Sequence, residues 1–383
     1  MLSPNQSALN CSGEVAAWAL CGEEGAFYQW EAAGRFPLGP TGHLVAAVCL
    51  GAIGLMGFTN NFLVLLLFCR YKALRSPVNL LLVNISLSDL LVCTLGTPFS
   101  FAASTQGRWL IGEVGCVWYG FANAVFGTVS LISLAILSYD RYITITGVTE
   151  ADRTNYRSAF AGISISWIYS LIWTVPPLLG WSSYGPEGPG TTCSVNWYSK
   201  DIANVSYIVC LFIFCLVIPF LVIIYCYGKM LLAVKKIRVS NSTGRGREYK
   251  VLFMVTCMVV CFLLCWLPYG IVALMATFGH PGLITPSVSI IPSILAKSST
   301  VYNPIIYVFL NRQFYKCFKA LLTCQNLPLG LSTRSLSKTI KNDRTKQKNY
   351  NTSFIMASRA PRTTANQNQS DSIQGGTSKE PTQ

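Results

Sequence analysis

The chain has 383 residues, 52% of them hydrophobic and only 11% charged, with a mean hydropathy of +0.44 and a formal net charge of +14. Soluble domains carry about 25% charged residues, so this composition excludes an ordinary soluble enzyme and points to a chain that resides in lipid.

In chain order, residues 1–42 read as an extracellular segment. It carries the glycosylation sequons Asn5-Gln-Ser and Asn10-Cys-Ser and the cysteines Cys11 and Cys21, a possible bridged pair. No charged segment with a cleavable apolar core precedes the first apolar run, so that run is expected to act as the insertion signal. Seven apolar runs follow, over 43–69, 79–104, 114–143, 158–180, 203–232, 251–278 and 283–310. Each is long enough to cross ~30 Å of hydrocarbon as a helix, and too long for a barrel strand. The expected fold is an all-α membrane protein, a seven-transmembrane helix bundle over 43–310. The internal prolines Pro98, Pro176, Pro219, Pro268, Pro292 and Pro304 are expected to kink these helices rather than end them.

Apart from Arg35, Arg108, Lys200 and Lys297, every Lys and Arg lies at the end of the first, third, fifth or seventh run or after it. Cytoplasmic loops collect such residues, so the N-terminus is expected outside and the C-terminus inside. The positive charge is therefore topological and does not argue for nucleic-acid binding. Most of the 15 cysteines lie within the runs, as small hydrophobes. Cys116 and Cys193 fall on the oxidising side, where a bridge between them is expected.

Residues 311–324 place apolar side chains at helical spacing with lysines opposite, which predicts a short amphipathic eighth helix on the membrane surface. Cys317 and Cys324 are juxtamembrane candidates for palmitoylation. From 325 to 383 the chain is polar and poor in aromatics, the composition of a disordered cytoplasmic tail. Its cluster Ser332, Thr333, Ser335, Ser337 and Thr339 could accept phosphate.

Three motifs stand at consistent depths. Asp140-Arg141-Tyr142 closes the third run, Cys265-Trp266-Leu267-Pro268 lies in the sixth, and Asn303-Pro304-Ile305-Ile306-Tyr307 in the seventh. With these in order, the chain resembles the rhodopsin-like G-protein-coupled receptors over roughly residues 43 to 324. Arg141 is a permanently charged fork that needs a partner. Asp140 is its neighbour, and Glu248 stands where this class often places an acidic lock residue. Asp89, with Asn61 and Asn303, is expected to form a buried polar cluster, and Pro268 and Pro304 weaken their helices locally.

Lys297 lies 14 residues from Leu283 and 13 from Leu310, too deep to reach either surface. Burial disfavours an ammonium, and a free amine condenses with an aldehyde. A lysine six residues before the asparagine of Asn-Pro-x-x-Tyr is the opsin signature. The resemblance thus implies covalent retinal, 11-cis before light and all-trans after, as a Schiff base on Lys297. It implies a pocket of Trp266, Tyr269, Tyr198, Gly127, Tyr119 and Ser293. Visual opsins place a counterion on the third helix three residues after the cysteine. Here that residue is Tyr119, a phenol. Glu187, six residues before Cys193, is the candidate that remains, with Glu113 a weaker one. Tyr119 and the basic third loop make the chain similar to the encephalopsin and teleost multiple-tissue opsin group. This implies a bistable pigment that signals to a heterotrimeric G protein of the Gi/Go class, with arrestin and a receptor kinase acting on the tail. The alternative is a retinal photoisomerase with little signalling. A receptor for a diffusible amine lacks its usual third-helix aspartate, since Tyr119 and Asn123 occupy that region.

Overall fold

The structure, a computed structural model, describes residues 38–146, 156–237, 245–280 and 284–323, the side chains of 234–251 and 286–287 excepted. Among these residues are the helices α1 (Pro40–Arg70), α2 (Pro77–Leu95), α3 (Thr97–Gln106), α4 (Gly112–Thr146), α5 (Tyr156–Thr174), α6 (Ile202–Phe212), α7 (Ile218–Ile237), α8 (Arg245–Phe278), α9 (Pro286–Leu310) and α10 (Arg312–Leu322). Helices α2 and α3 together make the second crossing. Helices α6 and α7, joined by a π turn over Ile213–Val217, make the fifth. Six crossings are long and apolar enough to span a bilayer by length and composition. The seventh, α9, is not among the six, because Lys297, Ser298, Ser299, Thr300 and Asn303 dilute its hydropathy. Leu55, Leu232, Leu264 and Phe309 face outward and exposed, as lipid contact requires. The chain is a multi-pass membrane protein.

Two prolines do not kink their helices as expected. Gly96 interrupts the second crossing at φ −121° and ψ −72°, and Pro98 then occupies the first turn of α3, where a missing N–H costs nothing. Pro176 ends α5, and the chain continues as a 3₁₀ turn over Pro176–Leu179. Pro268, Pro292 and Pro304 lie inside their helices.

The broken helices hand their free carbonyls to tyrosines. Pro177 has no N–H for the carbonyl of Trp173, which instead accepts from Tyr207 Oη at 2.8 Å. The N–H of Leu178 turns to Val175, so the Thr174 carbonyl accepts from Tyr184 Oη at 2.7 Å. In the π turn before Pro219, the Phe214 carbonyl accepts from Tyr169 Oη at 2.9 Å. Helix α5, the fifth crossing and the loop after α5 are thereby joined by hydrogen bonds that a lipid environment cannot supply.

The loop after α5 is not all irregular. Strands β1 (Tyr184–Glu187) and β2 (Thr192–Val195) pair antiparallel, with Glu187 opposite Thr192 and Pro186 opposite Cys193. Gly188 and Gly190, at φ 60° and 78°, make the left-handed turn that a side chain would strain. The expected disulfide is present: Cys193 of β2 bridges Cys116 of α4, with Cα atoms 5.5 Å apart. The hairpin is therefore held over the bundle.

Close backbone approach tightens the other side. A Cβ on Gly57 of α1 would lie 2.5 Å from Cys93 Sγ of α2 and 3.0 Å from Thr300 Oγ1 of α9. Small residues at such crossings allow the packing that drives helix association in lipid. Asn204 of α6 is buried and tied to the preceding loop. Its amide donates to Asn196 O at 2.8 Å and Ser199 O at 3.0 Å, and its carbonyl accepts from Ser182 Oγ at 2.6 Å.

Candidate retinal-binding site

Lys297 stands on the inner face of α9 and lines a cavity of about 200 Å³. Thr285 caps the start of that helix by accepting from the Val288 N–H at 3.3 Å. The turn after Lys297 is fastened to three other helices. Ser299 Oγ accepts from Trp266 Nε1 of α8 at 3.1 Å. Thr300 Oγ1 accepts from the Cys93 thiol of α2 at 3.5 Å, and its backbone carbonyl accepts from Asn61 Nδ2 of α1 at 2.9 Å. The lysine is thus carried on a firmly positioned segment.

The cavity walls are mostly apolar, including Val92, Ala124, Leu211, Phe212 and Phe262. Trp266 and Tyr269 of α8 line it and meet edge to face, with centroids 6.1 Å apart. Gly127 of α4 faces the Trp266 ring. A Cβ there would lie 3.0 Å from Cη2, so glycine is what admits the indole. Ser293, one turn from Lys297 on α9, also lines the cavity and is buried.

Tyr119 of α4 is fully buried but is not part of the cavity lining. Its ring centroid lies 5.6 Å from Lys297 Nζ, within the range of a cation–π contact. Its hydroxyl bonds to Ser100 of α3, and to Thr192 Oγ1 of β2 at 3.1 Å. Tyr198, expected in the wall, does not line the cavity. It packs at the edge of a cluster around Trp197 and Tyr207, and Trp197 lines the wall instead. The chain after Cys193 brings Cys193, Ser194, Val195 and Trp197 to the cavity, and Asn196 and Tyr198 are not among its lining.

Glu187 closes the cavity from above and is 7% exposed. Burial pushes its carboxyl above the ordinary glutamate range, while Lys297 and hydrogen bonding from Ser194, Tyr269 and Trp197 pull it back. Glu187 and Lys297 are not in ion-pair contact; among the described residues, Arg141–Asp140 is the close pair. The two groups instead open into one cavity. Glu113 lies in the first turn of α4 and is not among the lining residues. Asp89, bonded to Asn303, is a second carboxylate in the lining; an apolar chamber with one amine in its wall and the Glu187 carboxylate in its lid fits a long apolar aldehyde.

At the far end, Arg141 is buried and bonded to Asp140. Glu248 lies in α8, and its side chain is outside the described residues. Asn303 Nδ2 donates to Asp89 at 3.0 Å, but Asn61 bonds Thr300 and Gly57 carbonyls rather than the aspartate. The Tyr307 hydroxyl bonds to Ser86. Tyr142 packs against Tyr225. Cys317 is 2% exposed, within the hydrophobic core, so burial withdraws it as a palmitoylation candidate. Cys324, Asn5 and Asn10 lie outside the described residues.

The profile of the 7 transmembrane receptor (rhodopsin family) matches residues 60–307. The chain belongs to that family, among its opsins. The receptor is 39% identical over 373 residues to Opsin-3 of Mus musculus, covering 91% of this chain and 92% of that protein. It is 40% identical to pinopsin of Columba livia, over 75% of this chain and 83% of the relative. Among solved structures, squid rhodopsin superposes with a TM-score of 0.69 at 29% identity, covering 76% of this receptor and 89% of that chain.

Proposed function

We propose that this receptor is a light-activated G-protein-coupled receptor, a non-visual opsin, that binds 11-cis-retinal covalently at Lys297. The single observation that carries the reading is that Lys297 and the buried Glu187 line the same apolar cavity. Retinal supplies light absorption and, on isomerisation to the all-trans form, a change of shape.

The protein's own residues supply the rest. Lys297 Nζ anchors the ligand, and Glu187 is the counterion to the positive charge at that nitrogen. The ring of Tyr119 lies beside the same nitrogen and stabilises a cation weakly. Trp266 stands at the floor against Gly127, where a change in ligand shape presses on α8. Helix α8 then swings about its Pro268 hinge, and Arg141 leaves Asp140 and Glu248 to engage a heterotrimeric G protein. With retinal bound, Glu187, a carboxylate outside the third helix, would go on balancing the charge at Lys297 after illumination, and the pigment would be bistable. The partner class is Gi/Go, with arrestin and a receptor kinase on the tail.

The receptor is oriented with its N-terminus outside the plasma membrane and its C-terminus in the cytoplasm. The placement of Lys and Arg supports this, as does the disulfide on the opposite side. Asn5 and Asn10 then carry glycans and Cys324 carries palmitate.

Purification with 11-cis-retinal tests the reading. It should yield a pigment whose spectrum changes on illumination and which drives light-dependent nucleotide exchange. Borohydride should fix the ligand to the peptide containing Lys297. Attachment elsewhere, or none, refutes the proposal, and a pigment without exchange activity would favour a photoisomerase.

A further inference from the structure

Polar side chains inside membrane helices are costly unless they are paired, and a threonine commonly pairs by donating to the carbonyl four residues back. Thr144 and Thr146 of α4 do so at 2.7 Å each, and Thr256 of α8 does so at 2.8 Å. Thr128 of α4 does not. It lines the cavity, and its hydroxyl has no hydrogen-bond partner among the described residues. Cys215, in the π turn of the fifth crossing, is a second such group. It is 9% exposed and lines the same cavity, and its thiol has no hydrogen-bond partner among the described residues. The buried thiols of Cys93 and Cys265, by contrast, meet the hydroxyls of Thr300 and Ser298.

Gly270 of α8 adds space to this polar wall. A Cβ there would lie 3.6 Å from Phe212 Cε1 and 3.9 Å from Leu216 Cδ2, ordinary contact that an alanine would satisfy. Gly127 differs, because Trp266 crowds it at 3.0 Å. Glycine weakens a helix relative to alanine. What Gly270 contributes is therefore the gap itself, which opens on the cavity.

These groups lie away from the amine. Helix α9, which carries Lys297, packs against α1, α2 and α8, whereas the fifth crossing packs against α4. The cavity spans both sides. A ligand held at Lys297 by its aldehyde thus directs its other end, the carbocyclic ring of a retinal, toward the fifth crossing.

We infer that this end of the cavity is a polar recess for a ring-hydroxylated retinal, whose hydroxyl bonds to Thr128 and Cys215 in the space that Gly270 leaves. The inference rests on the reading of Lys297 as the attachment point and narrows the class of ligand. A hydroxyl both donates and accepts, and a thiol is a weak donor, so the two protein groups complement an alcohol. A hydrocarbon ring would leave both without partners. One net hydrogen bond is worth about fivefold in affinity.

The test offers the receptor 11-cis-retinal in competition with its 3-hydroxy and 4-hydroxy derivatives, then releases the bound ligand as its oxime and identifies it by mass. Wild type should take up one of the hydroxylated forms in about fivefold preference. Thr128→Val keeps the side-chain shape without the hydroxyl and should bring the ratio close to one, while Thr128→Ser should restore it. Gly270→Ala should lower the ratio by filling the space for the oxygen. A second readout needs no covalent bond. Hydroxylated β-ionone, the ring fragment alone, should slow pigment formation at a lower concentration than β-ionone in wild type, and at the same concentration in Thr128→Val. Wild type without a preference in either assay overturns the inference, as does a preference that Thr128→Val leaves in place. Both outcomes keep the attachment at Lys297. Failure of all three retinals to attach there refutes the proposed function and the inference together.

Discussion

Trp266 donates its indole N–H to the hydroxyl of Ser299 at 3.1 Å, so the aromatic floor of the cavity is tied to the segment that carries Lys297. The bond joins α8 to α9 at the point where the ligand would press. Ser299→Ala removes the acceptor and leaves the N–H unpaired in a partly buried site. A bond of this kind contributes about 1 kcal/mol, roughly a fivefold shift in a two-state equilibrium. Ligand-free nucleotide exchange should therefore rise severalfold above wild type. Exchange at the wild-type level would show that the bond does not hold the resting state.

Gly127 is the second handle on the same indole. A methyl group there would stand 3.0 Å from Cη2 and 3.2 Å from Cζ2 of Trp266, so Gly127→Ala must displace the ring slightly. Gly127→Leu cannot be absorbed that way. Overpacking costs about 1–3 kcal/mol, which predicts a fall in retinal uptake of roughly fivefold to a hundredfold, read as visible absorbance per protein. Gly127→Ala should keep the pigment with a shifted absorption maximum.

Lys200 predicts an effect on stability. Its ammonium donates to the carbonyls of Ala276, Thr277 and Gly279 at 3.1, 2.5 and 3.2 Å, gathering the open end of α8. A cation at a helix C-terminus also complements the helix dipole. Lys200 is exposed, so solvent weakens the contact, and Lys200→Met should cost about 1 kcal/mol. Thermal unfolding of the detergent-solubilised protein should fall by a few degrees, and an unchanged midpoint would refute the clamp.

Asn204 lies in a glycosylation sequon, yet its amide is spent within the protein on Asn196, Ser199 and Ser182. Asn204→Ala should lower the yield of retinal-binding protein, because buried partners left unpaired cost about 1–3 kcal/mol each. The variant should show the same glycan-dependent gel mobility as wild type. A mobility change at this substitution would place a sugar on Asn204 and contradict the described loop.

Much of this architecture is legible in the sequence, for identifiable reasons. A crossing announces itself by length and hydropathy, and a lone Lys297 inside one stands out against its surroundings. Glu187, six residues before Cys193, is singled out only by the resemblance to opsins with a neutral residue at the third-helix site. The breaks at Gly96 and Pro176 are not legible, since hydropathy does not show which carbonyls will find a tyrosine. The hairpin was missed because four-residue strands leave little periodic signal. Trp197 and Tyr198 are adjacent aromatics, and only the path of the extended chain decides which one faces inward. Cys317 shows the same problem on a helix: its membrane-proximal position suggested access, but its face is turned into the core.

The tyrosine caps on the severed ends of α5 and the fifth crossing have a mechanical consequence. Tyr169, Tyr184 and Tyr207 weld those elements and the hairpin into a single stiff block, with the Cys116–Cys193 bridge as its rivet to α4. Such a block can serve as a stator. Displacement would then be borne by the opposite flank, where α8 and α9 hold the lysine and the indole, so strain generated in the cavity is channelled in one direction instead of dissipating around the bundle.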